Sequence, residues 1–177
     1  MTKRQAFLKN TQAHGARAAA VAYVRTALLV GCMAGVAMLS SGCASIGFKG
    51  DKVAWDHITL VASDDVNNNS PVAIDVVFIT DETMVARIAE LPASKWFAAR
   101  DDLVSTFPKS LQVKSWELVP GQRVELTGKS FDRPRVSAAF LFANYADSGA
   151  HRVRIQQFNG DIAVTLNTNT FAVSAVK

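Results

Sequence analysis

Alternating apolar and polar residues dominate the chain after about residue 52 and predict β-strands. In the stretch from Val53 to Val61, successive side chains would point to opposite faces of a sheet. The stretch from Val136 to Tyr145 has apolar residues on both faces, which predicts a central strand. By the same criteria we expect eight strands, at residues 53–61, 71–79, 112–119, 123–127, 136–145, 152–157, 162–166 and 170–176.

Between the second and third of these strands the apolar period changes to that of a helix. Met84, Ile88 and Leu91 recur at helical spacing behind a capping residue, Thr80 or Asp81, and Pro92 follows. A second helix is expected from residue 94 to residue 107, with Ser94 as its cap, because Pro108 cannot continue it.

Turn-forming dipeptides separate the later strands. Pro120-Gly121 suits a type II turn, Asp147-Ser148-Gly149 suits a hairpin loop, and Asn159-Gly160 is typical of a two-residue hairpin. Many short strands joined by tight turns indicate a mainly β protein. The pattern therefore predicts an antiparallel β-sandwich of about eight strands with a short helical insertion after strand two.

The N-terminal part has the layout of a secretion signal. Ala27 to Leu39 is an apolar run of thirteen residues behind basic residues, which is shorter than the roughly 20 residues of a spanning helix. The small residues up to Gly42 lead into Cys43 and resemble the lipobox of lipoprotein precursors, although the leucine stands four residues before the cysteine instead of three. We expect residues 1–42 to be a signal peptide, Cys43 to be lipidated, residues 43–52 to be a linker and residues 53–177 to be the sandwich. The alternative is an uncleaved anchor helix in which Cys43 is a buried thiol.

Removal of the signal segment changes the charge of the protein. The whole chain has 19 Lys and Arg residues, 15 Asp and Glu residues and a pI near 9.3. Five of the basic residues and none of the acidic ones precede Cys43, so the mature chain has a net charge of −1. The high pI therefore gives no reason to expect nucleic-acid binding. Ala44 stands where an aspartate would resemble an inner-membrane retention signal, which implies the periplasmic face of the outer membrane.

The mature chain offers few groups for catalysis or metal binding. Its two histidines, His57 and His151, lack the spacing of a metal-binding motif. Asp56 and His57 are neighbours on a strand and would point to opposite faces. The pairs Asp64-Asp65 and Asp101-Asp102 are more simply caps or solvated residues than acid–base couples. We expect no metal, no cofactor, no small-molecule substrate and no enzymatic activity.

Large aromatic residues are candidates for the core or for partner binding. We expect Phe97, Trp116, Phe140 and Phe142 in the core, the usual place for such side chains. For Trp96 the sequence is compatible with two positions, in the core or as a partner-binding anchor. Lys95 and Arg100 flank it, and Trp and Arg are frequent at binding hot spots.

The loop between the first two strands is a candidate interaction site. It consists of turn-forming residues around a single apolar side chain: Ser63, Asp64, Asp65, Val66, Asn67, Asn68, Asn69 and Ser70. We expect Val66 to be exposed and to contact a partner within a polar rim, with little effect on stability. The alternative is that the loop is only a solvated turn.

Several motifs together resemble the outer-membrane lipoprotein of the type VI secretion system, the TssJ (SciN, VasD) family. They are the Asn-rich loop 67–72 leading into the strand 74–79, the helical segment with Trp96-Phe97, and the turn 116–121, all behind a lipobox. The resemblance covers Leu60 to Gly121, whereas Lys129 to Lys177 matches only as generic strands. None of these motifs contains catalytic atoms.

The resemblance implies a transthyretin-like β-sandwich that hangs from the outer membrane. It further implies binding to the periplasmic domain of TssM, the large inner-membrane component, to build the trans-envelope complex. In relatives the loop between strands one and two makes much of this contact, and that loop maps to residues 63–70 here. The alternative function is that of a periplasmic binding or chaperone lipoprotein.

Overall fold

Ten strands, two α-helices and one short 3-10 helix make up residues 50–176, the part of the chain that this computed structural model describes. The signal segment and Cys43 lie outside the described residues. The strands are β1 (Asp51–Lys52), β2 (Ala54–Ala62), β3 (Val72–Ile79), β4 (Leu111–Leu118), β5 (Arg123–Thr127), β6 (Arg135–Val136), β7 (Ala138–Ala143), β8 (Arg152–Ile155), β9 (Asn159–Leu166) and β10 (Phe171–Val176). The helices are α1 (Glu82–Glu90) and α2 (Ala93–Thr106), and the 3-10 helix is Gly128–Phe131.

Eight of the strands form two four-stranded sheets, which confirms the expected mainly β sandwich. The first sheet has the order β10-β9-β2-β5 and the second the order β4-β3-β7-β8. Neighbouring strands are antiparallel except β2 and β9, which run parallel. The remaining two strands, β1 and β6, pair with each other.

The helical insertion covers the outer face of the second sheet, which therefore lies in the middle of three layers. One hydrophobic cluster fills the space between the two sheets and includes Trp55, Ile58 and Leu141. A second cluster lies between the second sheet and the helices and includes Met84, Ile88 and Phe140. Every residue of β7 is buried because that strand has a packed layer on each face, as its apolar sequence predicts.

The two helices begin at residues with different capping chemistry. Of the two expected caps of α1, Thr80 and Asp81, it is Asp81 whose carboxylate accepts the backbone N–H of Thr83, at 3.0 Å. The expected cap of α2, Ser94, is wrong: Pro92 occupies that position, and its carbonyl accepts the N–H of Trp96 at 3.0 Å. Proline suits a helix start because the first turn needs no N–H from it. Neither described helix has the length and apolarity of a membrane-spanning one.

Three expected strand features differ in the structure. Asp51 and Lys52, expected in the linker, form β1 with β6, so the sheet structure begins before Val53. The long strand expected over residues 136–145 is divided at Ser137 into β6 and β7. Asn159-Gly160 forms no hairpin: it begins β9, whereas β8 belongs to the other sheet. Local turn chemistry cannot reveal that two successive strands pair in different sheets.

Trp96 is a core residue, and a buried carboxylate explains its position. Its side chain is fully buried and stacks on Phe142 with ring centroids 5.1 Å apart. Its indole N–H donates to Oδ2 of Asp75, a fully buried residue of β3, at 2.8 Å. A guanidinium N–H of Arg100 lies 3.3 Å from the same carboxylate, which supplies the counter-charge that a buried carboxylate needs.

The other aromatic predictions divide by degree of burial. Phe140 and Phe142 are buried, as expected. Phe97 and Trp116 were expected in the core but are only partly buried. Trp116 packs against the cluster between the sheets, and Phe97 packs against the cluster under the helices. Phe97 lies under the guanidinium of Arg100, which is 5.4 Å from the ring centroid. A cation over the ring is compatible with a partly exposed position.

The strand directions divide the connections between two ends of the sandwich. We call one the loop end; it carries residues 63–71, 119–122, 144–151 and 167–170. We call the other the N-terminal end; it carries residues 50–53, 80–81, 107–110, 128–137 and 156–158. Because β2 runs from the N-terminal end to the loop end, loop 63–70 and the point where the described chain begins, Gly50, lie at opposite ends.

Candidate partner-binding site

Loop 63–70 is a tight sequence of turns with three consecutive left-handed residues. Asn67, Asn68 and Asn69 have φ values of 47°, 55° and 59°. Asparagine tolerates this region better than other residues with a side chain because its short amide can bond the local backbone. The run of asparagines is therefore the sequence feature that gives the loop its shape.

Val66 is fully buried, so its expected exposure at a partner contact is wrong. It belongs to the cluster between the two sheets, together with Val72 and Tyr145. The physical reason is that the turns fold the loop back over the end of the sandwich, where the one apolar side chain closes the core. Val66 therefore contributes to stability and cannot reach a partner without unfolding the loop.

Asn67 is also buried and acts as a bridge between two loops. Its Nδ2 donates to the carbonyl of Pro71 at 2.8 Å, and its Oδ1 accepts the backbone N–H of Ala146 at 2.7 Å. All the polar groups of its side chain thus have a role inside the protein. Asn67 positions the neighbouring exposed residues and is not itself available to a partner.

Hydrogen bonds join loop 63–70 to the other connections of the loop end. Asp65 accepts hydroxyl hydrogen bonds from Thr168 and from Ser63, and these bonds hold the pKa of its carboxyl below the ordinary value of 3.8. The carbonyl of Ser63 accepts the N–H of Gly121 at 3.1 Å. Gly121 has φ +74°, as expected for a type II turn. The loop is therefore held from three sides.

The exposed part of the loop end is polar and acidic. Five of the eight predicted loop residues are exposed, namely Asp64, Asp65, Asn68, Asn69 and Ser70, and Ser63 is half-buried. The four connections of the loop end contain three aspartates and no Lys or Arg. Val119, beside Pro120, adds an apolar side chain that is 51% exposed. An apolar spot within a polar rim is the usual composition of a protein contact surface.

The β7–β8 hairpin loop adds residues that sequence reasoning had not linked to loop 63–70. Asp147 and Ser148 are exposed, whereas the side chain of His151 is 8% exposed. Nε2 of His151 lies 3.1 Å from the N–H of Gly149 and 3.0 Å from Oδ1 of Asp147. The Asp-Ser-Gly turn signal located this hairpin correctly, but only the bond from Ala146 to Asn67 shows that it adjoins loop 63–70.

The remaining titratable candidates lie apart from this surface. His57 is on the exposed face of β2, where its Nδ1 lies 3.2 Å from Oδ1 of Asp161 on β9, and its sequence neighbour Asp56 is not its partner. Asp101 and Asp102 are exposed residues of α2. No group of His, Cys, Asp and Glu side chains among residues 50–176 could hold a metal ion. A groove of about 650 Å³ lies between α1 and the β1–β6 pair, lined in part by Val85, Ala89 and Arg154.

Comparison with known proteins finds similar solved structures but no similar sequence. No family model and no curated protein matches the sequence. The structure is similar to the crystal structure of the T6SS lipoprotein TssJ1 from Pseudomonas aeruginosa, with a TM-score of 0.51 and 19% sequence identity, over 72% of this chain and 98% of that one. The chain has the fold of a TssJ lipoprotein. The structure of Serratia marcescens Lip, a membrane-bound component of the type VI secretion system, aligns with a TM-score of 0.47 at 14% identity, over 67% of this chain and 97% of that one.

The likeness to TssJ1 extends over nearly the whole of that protein. At 19% identity the likeness is one of fold. The TssJ resemblance expected from residues 60–121 is thus confirmed at the level of architecture.

Proposed function

We propose that this protein is a lipid-anchored outer-membrane lipoprotein of a type VI secretion system. In this proposal it binds the periplasmic domain of a TssM-like inner-membrane protein, helps to build the membrane complex and catalyses no reaction. The observation that carries the proposal is the match to the fold of TssJ1 over 98% of that chain. The small residues leading into Cys43 support the lipid anchor independently.

The direction of the chain supports the loop end as the partner surface. A lipid on Cys43 would hold the N-terminal end of the sandwich near the membrane, since Gly50 lies at that end. The loop end would then face into the periplasm, toward a partner that rises from the inner membrane. Residues 63–70, the contact that the resemblance to the TssJ family implies, are at that end.

The chemistry of the loop end favours a partner surface with basic and apolar groups. Asp64, Asp65 and Asp147 give the loop end its negative charge, and Val119 replaces Val66 as its accessible apolar side chain. The bonds of Asn67 hold the backbone in place before any partner arrives. A preformed surface loses less conformational entropy on binding than a mobile loop.

The test is calorimetric titration of the chain from Ala44 to Lys177 with the periplasmic domain of the TssM-like protein from the same genome. The variant Asn68→Gly with Asn69→Gly removes two exposed side chains and keeps residues that accept positive φ. We expect its affinity to fall at least about ten-fold, as for a contact worth about 1.4 kcal/mol or more. A matched control, Ser130→Ala with Gln156→Ala, changes two exposed residues at the N-terminal end and should bind as the parent does.

Two results would contradict this proposal in different ways. If the loop variant and the control both bind like the parent, the side chains of Asn68 and Asn69 are not the contact. If the parent itself does not bind the TssM-like domain, the partner is wrong, and a periplasmic binding or chaperone lipoprotein becomes the better interpretation.

A further inference from the structure

A basic loop at the N-terminal end is fixed to the core by one aromatic residue. We define the basic loop as residues 128–135, which comprise the 3-10 helix and the residues up to Arg135 in β6. Phe131 is 1% exposed and lies edge-on to Trp55 and Phe78, with ring centroids 5.2 Å and 6.2 Å apart. Gly128 lies against the backbone of Trp55, with no space for a Cβ atom. The basic loop therefore has a rigid base.

Two consecutive residues of the basic loop have an unusual backbone conformation. Asp132 and Arg133 have φ values of 56° and 47°. Left-handed residues other than glycine are strained and concentrate at functional sites. In this case the left-handed conformation turns the chain away from the core and exposes Arg133 and Arg135. The flanking residues Phe131 and Val136 remain buried.

Three of the side chains that the basic loop exposes are cationic. Lys129, Arg133 and Arg135 are all exposed, and none of them makes an ion pair within residues 50–176. The one carboxylate of the basic loop, Asp132, is 2.7 Å from the ammonium of Lys114, which lowers its pKa. The basic loop thus has an uncompensated positive charge.

The other charges at the N-terminal end nearly balance. Lys52 and Lys109 lie there with the carboxylates of Asp51 and Asp81, and the adjoining groove is lined by one further residue of each sign, Glu82 and Arg154. The cationic excess of this end is therefore confined to the basic loop and to Lys114 beside it.

The basic loop also adjoins the point where the described chain begins. A guanidinium N–H of Arg135 donates to the carbonyl of Gly50 at 3.1 Å, and the N–H of Val53 donates to the carbonyl of Pro134 at 2.9 Å. Gly50 stands seven positions after Cys43, so a lipid on Cys43 would keep Gly50 within about 25 Å of the bilayer surface. The tether and the positive charge would meet the same membrane.

We propose that the basic loop binds the anionic phospholipid headgroups of the leaflet that holds the lipid anchor, and so orients the sandwich with its loop end away from the membrane. Each Lys or Arg near an anionic leaflet strengthens membrane binding roughly five-fold, so three cations alone bind weakly. A covalent lipid tether keeps the basic loop close to the membrane, where this weak attraction is enough to orient the protein. The biological role rests on the proposed anchor at Cys43. The binding itself is a property of the basic loop.

The test is co-sedimentation of the chain from Ala44 to Lys177, which has no lipid but contains the whole described sandwich, with two kinds of vesicle. We expect binding to vesicles of phosphatidylethanolamine with phosphatidylglycerol and none to vesicles of phosphatidylcholine. Raising the ionic strength from about 0.1 M to about 1 M shortens the screening length from about 10 Å to about 3 Å and should abolish the binding. Absence of binding to the anionic vesicles at low salt would overturn the proposal.

Two variants of equal net charge separate the basic loop from a general charge effect. Lys129→Gln with Arg133→Gln should weaken vesicle binding roughly 25-fold. Arg87→Gln with Lys95→Gln, which changes exposed cations of α1 and α2, should leave it nearly unchanged. Equal losses in the two would overturn the proposal in favour of net charge alone.

A third variant guards against misfolding as the cause of any loss. Arg133→Gly removes a cation from a left-handed position that glycine prefers, so it should raise the melting temperature while it weakens vesicle binding. Unchanged vesicle binding by a stabilised Arg133→Gly protein would count against the basic loop. Because the experiment uses no lipid anchor, failure of the anchor at Cys43 would appear only in cell fractionation.

Discussion

The Oδ1 of Asn67 accepts the backbone N–H of Ala146 at 2.7 Å and thereby joins the β2–β3 loop to the β7–β8 hairpin. The two residues are 79 positions apart in the chain. This bond makes the loop end one continuous surface and explains why a loop of turn-forming residues can have a defined shape.

Replacing Asn67 should destabilise the protein more than replacing its exposed neighbour. Asn67→Ala leaves the N–H of Ala146 and the carbonyl of Pro71 without their partner, so we expect a loss of about 2–4 kcal/mol in the free energy of unfolding. Asn69→Ala breaks neither of these bonds and should lower the free energy of unfolding by only about 1–2 kcal/mol, because alanine is disfavoured in the left-handed conformation. Urea titration of both variants measures the difference. Equal losses would show that the bridge to Ala146 contributes nothing.

The same substitution should destabilise the protein strongly at Val66 and hardly at all at Val119. Val66→Asp places a carboxylate in the core between the sheets, and we expect a loss of more than about 3 kcal/mol in the free energy of unfolding. Val119→Asp changes a side chain that is 51% exposed and should stay within about 0.5 kcal/mol of the parent. Thermal unfolding followed by circular dichroism compares them. A stable, well-folded Val66→Asp protein would contradict the burial of this loop.

Tyr145 should make stability decrease at high pH. Burial, with a smaller contribution from Asp147, raises the pKa of its phenol from 10.0 to about 12. Between these values the unfolded chain ionises while the folded protein keeps its proton, so stability falls as the pH rises from 10.0 to about 12. The loss attributable to this group is at most roughly 3 kcal/mol.

The variant Tyr145→Phe is the control for that prediction, because it has no phenol to ionise and should lack this component of the pH dependence. Of the two tyrosines in the sequence, Tyr23 lies in the expected signal peptide. The absorbance of tyrosinate in a chain that begins at Ala44 therefore reports on Tyr145 alone. Titration of that absorbance near pH 10.0 in the folded protein would show that the phenol is accessible to water.

Cys43→Ser should remove the protein from the membrane fraction. Without the thiol there is no site for the lipid, so we expect an uncleaved precursor or a species released from the outer membrane. Fractionation of cells that produce each form, followed by immunoblotting, measures the outcome. Recovery of the unaltered protein in the soluble periplasmic fraction would contradict the anchor.

Much of the fold follows from local sequence pattern. Alternation located eight of the strands to within a few residues, and the apolar sequence of β7 predicted its position between two packed layers. Asp81 was identifiable as a cap because its carboxylate acts on a backbone N–H only two residues away. These features depend on neighbours in the chain, and periodicity reports on such neighbours.

The features that the sequence did not reveal depend on contacts between distant residues. Val66 looked exposed because its neighbours form turns, yet the core that it closes comes from both sheets. Trp96 could not be assigned until the carboxylate of Asp75, 21 residues earlier, was seen to accept its N–H. The candidate site was therefore predicted as a segment, whereas the roles of Val66 and Asn67 within it were not.

The parallel pairing of β2 with β9 affects when the sandwich can fold during export. Trp55, at the start of β2, donates its indole N–H to the carbonyl of Gln157, which is 102 positions later and two residues before β9. Contacts of such long range form late and slow the folding of a domain. In a chain that crosses the inner membrane N-terminus first, β2 would lack its neighbour β9 until almost the whole chain had emerged. If the chain is exported and lipidated as proposed, both steps would act on an unfolded chain, and the two sheets would form only when translocation is nearly complete.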